Sequence, residues 1–314
     1  MEIYRSVAEI KEHRPAAIAL GFFDGLHLGH TELISKCIIF ARERGLSADV
    51  FTFKDNPKNV ISGKLLVPRL MPESEKIERL SGLGIDRVFD FDFADNFHTM
   101  TPADFAYIML SKAFSAKSVF CGFNFHFGAD ATGDSISLET FGKLCGFDTH
   151  VIDPVYVADR LVSSTLIRRC INSGDVEPAG RLLGREYSLK GLVEEGRNFG
   201  RILGFRTANF SPDKDMTVPS FGVYVTETVV DGIPYPSVSN VGICPTVKKD
   251  RIVSIENHIL DQNMELYGKE ITTVFKKMIR KERRFDGEEA LKRQIAKDVA
   301  VTRSYFANNS ALRS

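Results

Sequence analysis

Residues 16–22 form a short apolar run that passes directly into a glycine-rich turn, Gly21-Phe22-Phe23-Asp24-Gly25-Leu26-His27-Leu28-Gly29-His30. Residues 30–44 follow with helical spacing: Leu33, Ile34, Cys37, Ile38 and Ala41 fall on one face, and Gly45 is placed to stop the helix. A buried strand feeding a one-faced helix needs a parallel neighbour to receive the crossover. Residues 48–53, 87–91, 118–121 and 149–152 read as such strands, with helices over 73–80, 102–112 and 138–145 between them. This alternation predicts an open α/β sheet, and two further helices over 164–172 and 177–183 end the region.

The texture changes after about Tyr187. Residues 221–230 alternate as a strand does, with Phe221, Val223 and Val225 on one side and Tyr224, Thr226 and Thr228 on the other. Asp231-Gly232 is a hairpin signal, and 235–242, 251–260 and 271–279 read as further strands before one helix over 288–305. An antiparallel β-barrel or sandwich with a closing helix is the simplest account. Charge divides the halves too: residues 1–186 hold 21 basic and 25 acidic side chains, a net of −4, and residues 187–314 hold 20 and 16, a net of +4. Two domains, 1–186 and 187–314, are therefore expected.

Several classes are disfavoured. Lys+Arg and Asp+Glu are equal at 41 each, whereas a dedicated nucleic-acid binder carries a basic excess. No apolar run approaches the roughly 18 residues of a membrane span, and the opening residues hold no apolar signal region. The expectation is a soluble cytoplasmic protein without nucleic-acid or membrane partners. Five widely spaced cysteines with no C-x-x-C read as buried small hydrophobes. Six Lys/Arg within 276–284 are expected to decorate a strand end in solvent.

The turn between the first strand and helix carries the chemistry. Ligands bind at the carboxyl ends of strands in open α/β sheets, and a helix N-terminus there suits phosphate. Gly21, Gly25 and Gly29 allow close backbone approach, and His27 and His30 can donate to phosphoryl oxygens. Neither G-x-G-x-x-G nor a Walker loop is present, and no third ligand near the two histidines argues for metal.

GFFDGLHLGH resembles the H-x-G-H signature of the nucleotidyltransferase superfamily, in the version found in bacterial FAD synthetases, which fuse riboflavin kinase to FMN adenylyltransferase. FTFKDNP at 51–57 is similar to that family's T-F-x-x-H-P segment, with Asn56 in place of His. GFNFHFGADATGD at 122–134 and VSSTLIR at 162–168 resemble two more of its motifs, in the family's order. The resemblance implies adenylyl transfer from ATP to FMN, yielding FAD and pyrophosphate. It places ATP over Gly21, Phe22, Asp24 and Gly25, with His27 and His30 on its phosphates. Ser163, Ser164, Thr165 and Arg168 would hold the departing pyrophosphate, and Asn124 would belong to the nucleotide or flavin site. The residues alone leave other roles open: a helix cap and first turn for 163–165, a turn for Asn124, and core packing for Phe123, Phe125 and Phe127.

In the second half, GRNFGRILGFRTANF at 196–210, VSNVGICPTV at 238–247, IENHILD at 255–261 and LYGKEI at 266–271 resemble the riboflavin kinase module. That resemblance implies Mg2+ and nucleotide phosphates at Thr207 and Asn209, with Glu256 as the base that activates riboflavin. Ser254, Glu256 and His258 share one strand face, which equally fits a solvent-facing glutamate. One departure is Arg206, where the family has proline; proline would stiffen the loop. It motivates an alternative, a monofunctional FMN adenylyltransferase whose second domain only binds flavin. A flavin-sensing regulator is a third reading.

Overall fold

A computed structural model describes residues 1–95, 97–194, 205–245 and 251–310. Contacts divide the chain into two compact units, Met1–Ser164 and Thr165–Ser314.

The first unit is a six-stranded sheet in which every pairing is parallel. In chain order its strands are β1 (Glu2–Tyr4), β2 (Ala16–Leu20), β3 (Ser47–Phe53), β4 (Arg87–Phe91), β5 (Ala116–Gly122) and β8 (Asp148–Ile152); the two-residue strands β6 (His126–Phe127) and β7 (Gly133–Asp134) pair separately, as do β9 (Tyr156–Val157) and β10 (Arg160–Leu161). The spatial order is β1-β4-β3-β2-β5-β8. The chain thus leaves β2 in one direction through β3 and β4 and returns on its other side as β5, so the switch point lies at the carboxyl end of β2. All five residues of β2 are buried. Helices α1 (Leu28–Arg44), α2 (Pro57–Ser62), α3 (Glu73–Leu83), α4 (Pro102–Asp104) and α5 (Ser135–Cys145) connect the strands.

Two cores flank this sheet. One is aromatic, built from Phe51, Phe89, Phe91, Phe105 and Phe114 among others. The other packs Ile34, Cys37 and Ala41 of α1 against Ala17, Ala19 and Val50. Asp49 and Arg87 are register partners on β3 and β4, fully buried, and joined by bonds of 2.6 and 3.0 Å. The helix expected over 102–112 departs from regularity: α4 continues as a π-helix over Phe105–Ala113, and the Phe114 amide donates to Met109 five residues back. Its buried residues Phe105, Met109 and Ala113 recur every fourth position, which a wider turn aligns on one face.

The second unit opens with α6 (Ser164–Ser173) and α7 (Val176–Leu183). Its sheet is antiparallel throughout: β11 (Ser188–Leu192), β12 (Ala208–Phe210), β13 (Gly222–Val230), β14 (Ile233–Pro245), β15 (Arg251–Ile259) and β16 (Glu270–Lys281), in the order β11-β16-β13-β14-β15-β12. An isolated bridge between Glu194 and Asn209 joins the two ends, giving a nearly closed barrel, and α8 (Glu288–Ser310) follows. The Asp231-Gly232 hairpin has φ of +50° and +81°, as a type I′ turn requires. Both faces of β13 are buried over Gly222–Thr226, because its inner residues line the barrel and its outer ones pack beneath helices.

The contact division falls earlier than the change of texture at Glu186, because α6 and α7 pack on the barrel. The Ser220 amide bonds to Ile171, Gly174 lies against Met278 and Tyr224, and Glu186 pairs with Lys276 at 2.5 Å. Lys277, Lys281, Arg283 and Arg284 of the basic cluster are exposed as expected, but two of its members depart from that expectation. Lys276 is buried between Glu186 and Glu227, and Arg280 is held by Asp298 of α8. Cys37, Cys121 and Cys170 are buried, and burial pushes the Cys121 thiol up to about 12.

Candidate active sites

The glycine-rich turn sits at the switch point of the first sheet. His27 is the N-cap of α1, and its Nδ1 accepts the His30 backbone N–H at 3.2 Å. An accepting Nδ1 carries no proton, so a neutral His27 carries its proton on Nε2 and presents it as a donor. The His27 and His30 rings stack with centroids 3.6 Å apart and planes 17° from parallel, and Phe23 meets His30 edge-on. The backbone here is strained: Phe23 and Leu26 have φ of +54° and +38°, flanking Gly25 at +81°. Non-glycine residues in this region persist only where surroundings impose it. At Gly21 a β-carbon would lie 2.9 Å from the Phe23 ring, so a larger residue there would displace that ring.

Asp24 is buried and braces the turn. Its Oδ1 accepts the Leu70 amide at 2.9 Å, and its carbonyl accepts Ser164 Oγ at 2.9 Å. Ser164 is thereby joined to the histidine turn within the first unit. Ser163 precedes α6, Thr165 lies in its first turn, and Arg168 falls one turn beyond Ser164 on the same face. Thr165 and Arg168 belong to the second compact unit. The Phe22 carbonyl accepts from Thr52 Oγ1, which in turn accepts from the buried Lys76 ammonium, itself 5.5 Å from the Phe22 ring centre. Sequence reasoning missed Lys76; a lysine on a helix face gives no sign that it points inward.

Asn124 is exposed in the turn closed by the Phe125 amide and the Gly122 carbonyl. Of the three phenylalanines around it, Phe125 and Phe127 stack with centroids 5.7 Å apart, as the core reading expects, and Phe123 does not join them. Phe127 is buried in β6, Phe125 packs partly against the aromatic core, and Phe123 is 44% exposed. Asn56, the departure from the family's histidine, caps α2 by accepting the Lys58 amide at 3.0 Å.

In the barrel, Asn209 of β12 stands directly opposite Glu256 of β15, which stands opposite Asn240 of β14. Directly paired residues present their side chains on the same sheet face. Burial pushes the Glu256 carboxyl above its usual range, and the Glu282 carboxylate adds to the effect. Asn209 Oδ1 is buried and has no hydrogen-bond partner among the described residues. That orphaned oxygen and the Thr207 hydroxyl are the neutral donors a hard cation takes, so the residues fit Mg2+. Thr207 and Asn209 line a cavity of about 310 Å³ together with Arg206, Asn257, Glu265 and Tyr267. Glu256 is not part of that lining.

Arg206 does not leave its loop free. Its guanidinium bonds to Asn263, and its carbonyl accepts from His258 Nδ1 at 2.9 Å, with Phe205 edge-on to the same imidazole. Residues 196–204 of the first kinase-like segment, and Thr246 and Val247 of the second, lie outside the described residues.

Comparison with known proteins finds matches to both halves of the chain. The FAD synthetase family model matches residues 9–166 and the riboflavin kinase model residues 183–306. A curated bifunctional riboflavin kinase/FMN adenylyltransferase of Listeria monocytogenes is 35% identical over 291 residues, 92% of each chain. Its namesake in Escherichia coli K12 is 33% identical over 98% of each. A Streptococcus pneumoniae crystal structure titled a macrolide-efflux protein superposes with a TM-score of 0.86 at 29% identity, over 96% of this chain and 98% of that one. Among the described residues no helix is long and apolar enough to cross a membrane. Two matched family models in series, with relatives of the same two-part build along nearly the whole length, place the chain in the bifunctional riboflavin kinase/FMN adenylyltransferase family.

Proposed function

We propose that this transferase makes flavin cofactors in two ATP-dependent steps, phosphorylating riboflavin to FMN within residues 187–314 and adenylylating FMN to FAD within 1–186. The observation that carries the reading is the His27-capped turn at the sheet's switch point, present in one chain with the Asn209–Glu256 pair of the barrel. In adenylyl transfer an FMN phosphate oxygen attacks the α-phosphorus of ATP and pyrophosphate leaves. The proton on His27 Nε2 and the His30 imidazole meet the charge that grows on the phosphoryl oxygens. Gly21, Phe22, Asp24 and Gly25 shape the phosphate cradle; Ser163, Ser164, Thr165 and Arg168 receive the pyrophosphate, and Asn124 borders the flavin side.

In the kinase step the riboflavin 5′-hydroxyl attacks the γ-phosphorus of ATP, the bond to the β,γ-bridging oxygen breaks, and ADP leaves. Glu256 takes the hydroxyl proton, and its burial raises its proton affinity toward that task. Thr207 and Asn209 would hold Mg2+, which supplies charge neutralisation on the transferred phosphate. Arg206 is compatible with this role, because its bonds to Asn263 and His258 supply the loop restraint that proline would give. The substrates are small and the setting cytoplasmic.

Chromatography of flavin products tests the proposal. Purified protein with Mg2+ and ATP should convert both riboflavin and FMN to FAD. FAD from FMN alone would remove the kinase half, and no product from either would overturn the reading.

A further inference from the structure

The barrel interior holds a polar network among buried apolar residues such as Val241, Ile255 and Phe275. Thr226, Thr228, Ser237, Ser239, Asn257 and Thr273 are each 0% exposed and bonded to one another. Asn257 is the branch point. Its Oδ1 accepts from Ser239 Oγ at 2.5 Å and from Thr273 Oγ1 at 2.8 Å, and its Nδ2 donates to the Ala208 carbonyl at 3.2 Å. Ser239 lies on the neighbouring strand β14. Thr273 lies on β16, which does not pair with β15, so that bond crosses the interior. Both ends of the amide are therefore used, and the grip on Ala208 is anchored to two other strands.

Ala208 is the residue between Thr207 and Asn209. Its strand β12 is three residues long, pairs with β15 on one side, and is met on the other, among the described residues, by the Glu194–Asn209 bridge. So short a strand has little ladder of its own to fix it. An aliphatic side chain at 257 would fill the interior without needing a satisfied network, whereas a buried amide is costly unless every partner is present.

We infer that Asn257 is a positioning residue that sets Thr207 and Asn209 for the metal and nucleotide phosphates, an inference resting on the kinase reading above. Asn257→Asp keeps the oxygen that Ser239 and Thr273 address but turns an oxygen toward the Ala208 carbonyl. Thr273→Val cuts only the bond across the interior, and decides the matter if the buried carboxylate prevents folding. Asn209→Ala tests the underlying reading. Each is made in the full chain.

Two readouts are taken: the Mg2+ concentration giving half-maximal riboflavin phosphorylation, and hydrogen exchange of 208–210 against β13 without metal. The Asn257 and Thr273 variants should raise the Mg2+ requirement about three- to tenfold, the scale of one neutral hydrogen bond. Exchange at 208–210 should quicken by a similar factor while β13 stays protected. The inference is overturned if exchange quickens throughout the barrel, or if both variants keep the original Mg2+ requirement while Asn209→Ala raises it. If Asn209→Ala leaves that requirement unchanged, the metal-strand reading itself fails and the inference falls with it.

Discussion

Lys76→Met puts the bracing of the histidine turn to a quantitative test. Lys76 is 4% exposed, so methionine of similar length keeps the packing of the stem. What goes is the ammonium, which donates to the Phe53 carbonyl at 3.0 Å, Thr52 Oγ1 at 3.3 Å and Asp90 Oδ1 at 3.4 Å. Two effects oppose each other. Burial lowers the pKa of Lys76 and raises that of Asp90, so removing the cation relieves a desolvation cost. It also strips a partner from a buried carboxylate, which typically costs about 3–5 kcal/mol. Arg5 still pairs with Asp90, which holds the expected loss to about 2–3 kcal/mol. Strand-resolved hydrogen exchange suits the assay, since a chain of two units need not unfold in one step. Exchange in β2 to β4 should accelerate about 30- to 150-fold. Thr52 would also lose the donor that fixes it beneath the Phe22 carbonyl, so FMN adenylylation should fall while riboflavin phosphorylation in the same chain holds. Adding Asp90→Asn should restore most of the stability. Unchanged or slower exchange in Lys76→Met, with adenylylation intact, would refute the reasoning.

Three other outcomes are expected. His27→Asn retains a good capping residue, so the thermal midpoint should hold while FMN adenylylation drops about 100- to 1,000-fold; His27→Ala should lose about 1 kcal/mol as well. Glu256→Gln should abolish riboflavin phosphorylation and spare FMN adenylylation, and in the unmodified enzyme the kinase should decline with falling pH from above the ordinary glutamate value of 4.5. Because the folded-state pKa of Glu256 is raised, its contribution to stability is full below the unfolded pKa and lost as pH rises through the folded one. Thermal scans should therefore find Glu256→Gln the more stable at neutral pH and equal to the parent in acid. Arg87→Met leaves Asp49 buried without its cation and should cost about 3–5 kcal/mol in exchange measurements, with Asp49→Leu in the same chain recovering most of it.

The sheet was readable because β2 and its neighbours are short apolar runs separated by one-faced helices, and that pattern has few solutions. The π-helical turns of Phe105–Ala113 were not, since a repeat of four is close to the ordinary helical period. Nor was the burial of Lys276, which depends on Glu186 and Glu227 meeting it from other elements. In the first site the two histidines stood out by their spacing, whereas Lys76 and the brace from Asp24 to Leu70 link residues far apart in the chain. In the second, alternation put Glu256 on a face but could not decide what lay opposite. The register that pairs it with Asn209, and the network reaching Asn257 from three strands, exist only once the barrel closes.

The contrast between the two interiors has a calorimetric consequence. The sheet unit buries a cluster of phenylalanine rings, with Phe89 and Phe114 stacked 4.2 Å apart, while the barrel encloses a network of hydroxyls and an amide beside its apolar residues. Exposing apolar surface raises the heat capacity and exposing polar surface lowers it. Per residue, the sheet unit should therefore release the larger heat-capacity increment on unfolding and have the more sharply curved dependence of stability on temperature. Cooling weakens apolar burial more than it weakens a hydrogen-bonded interior. One polypeptide thus carries two stability curves of different curvature, and the phenylalanine-rich unit sets the cold limit of the pair.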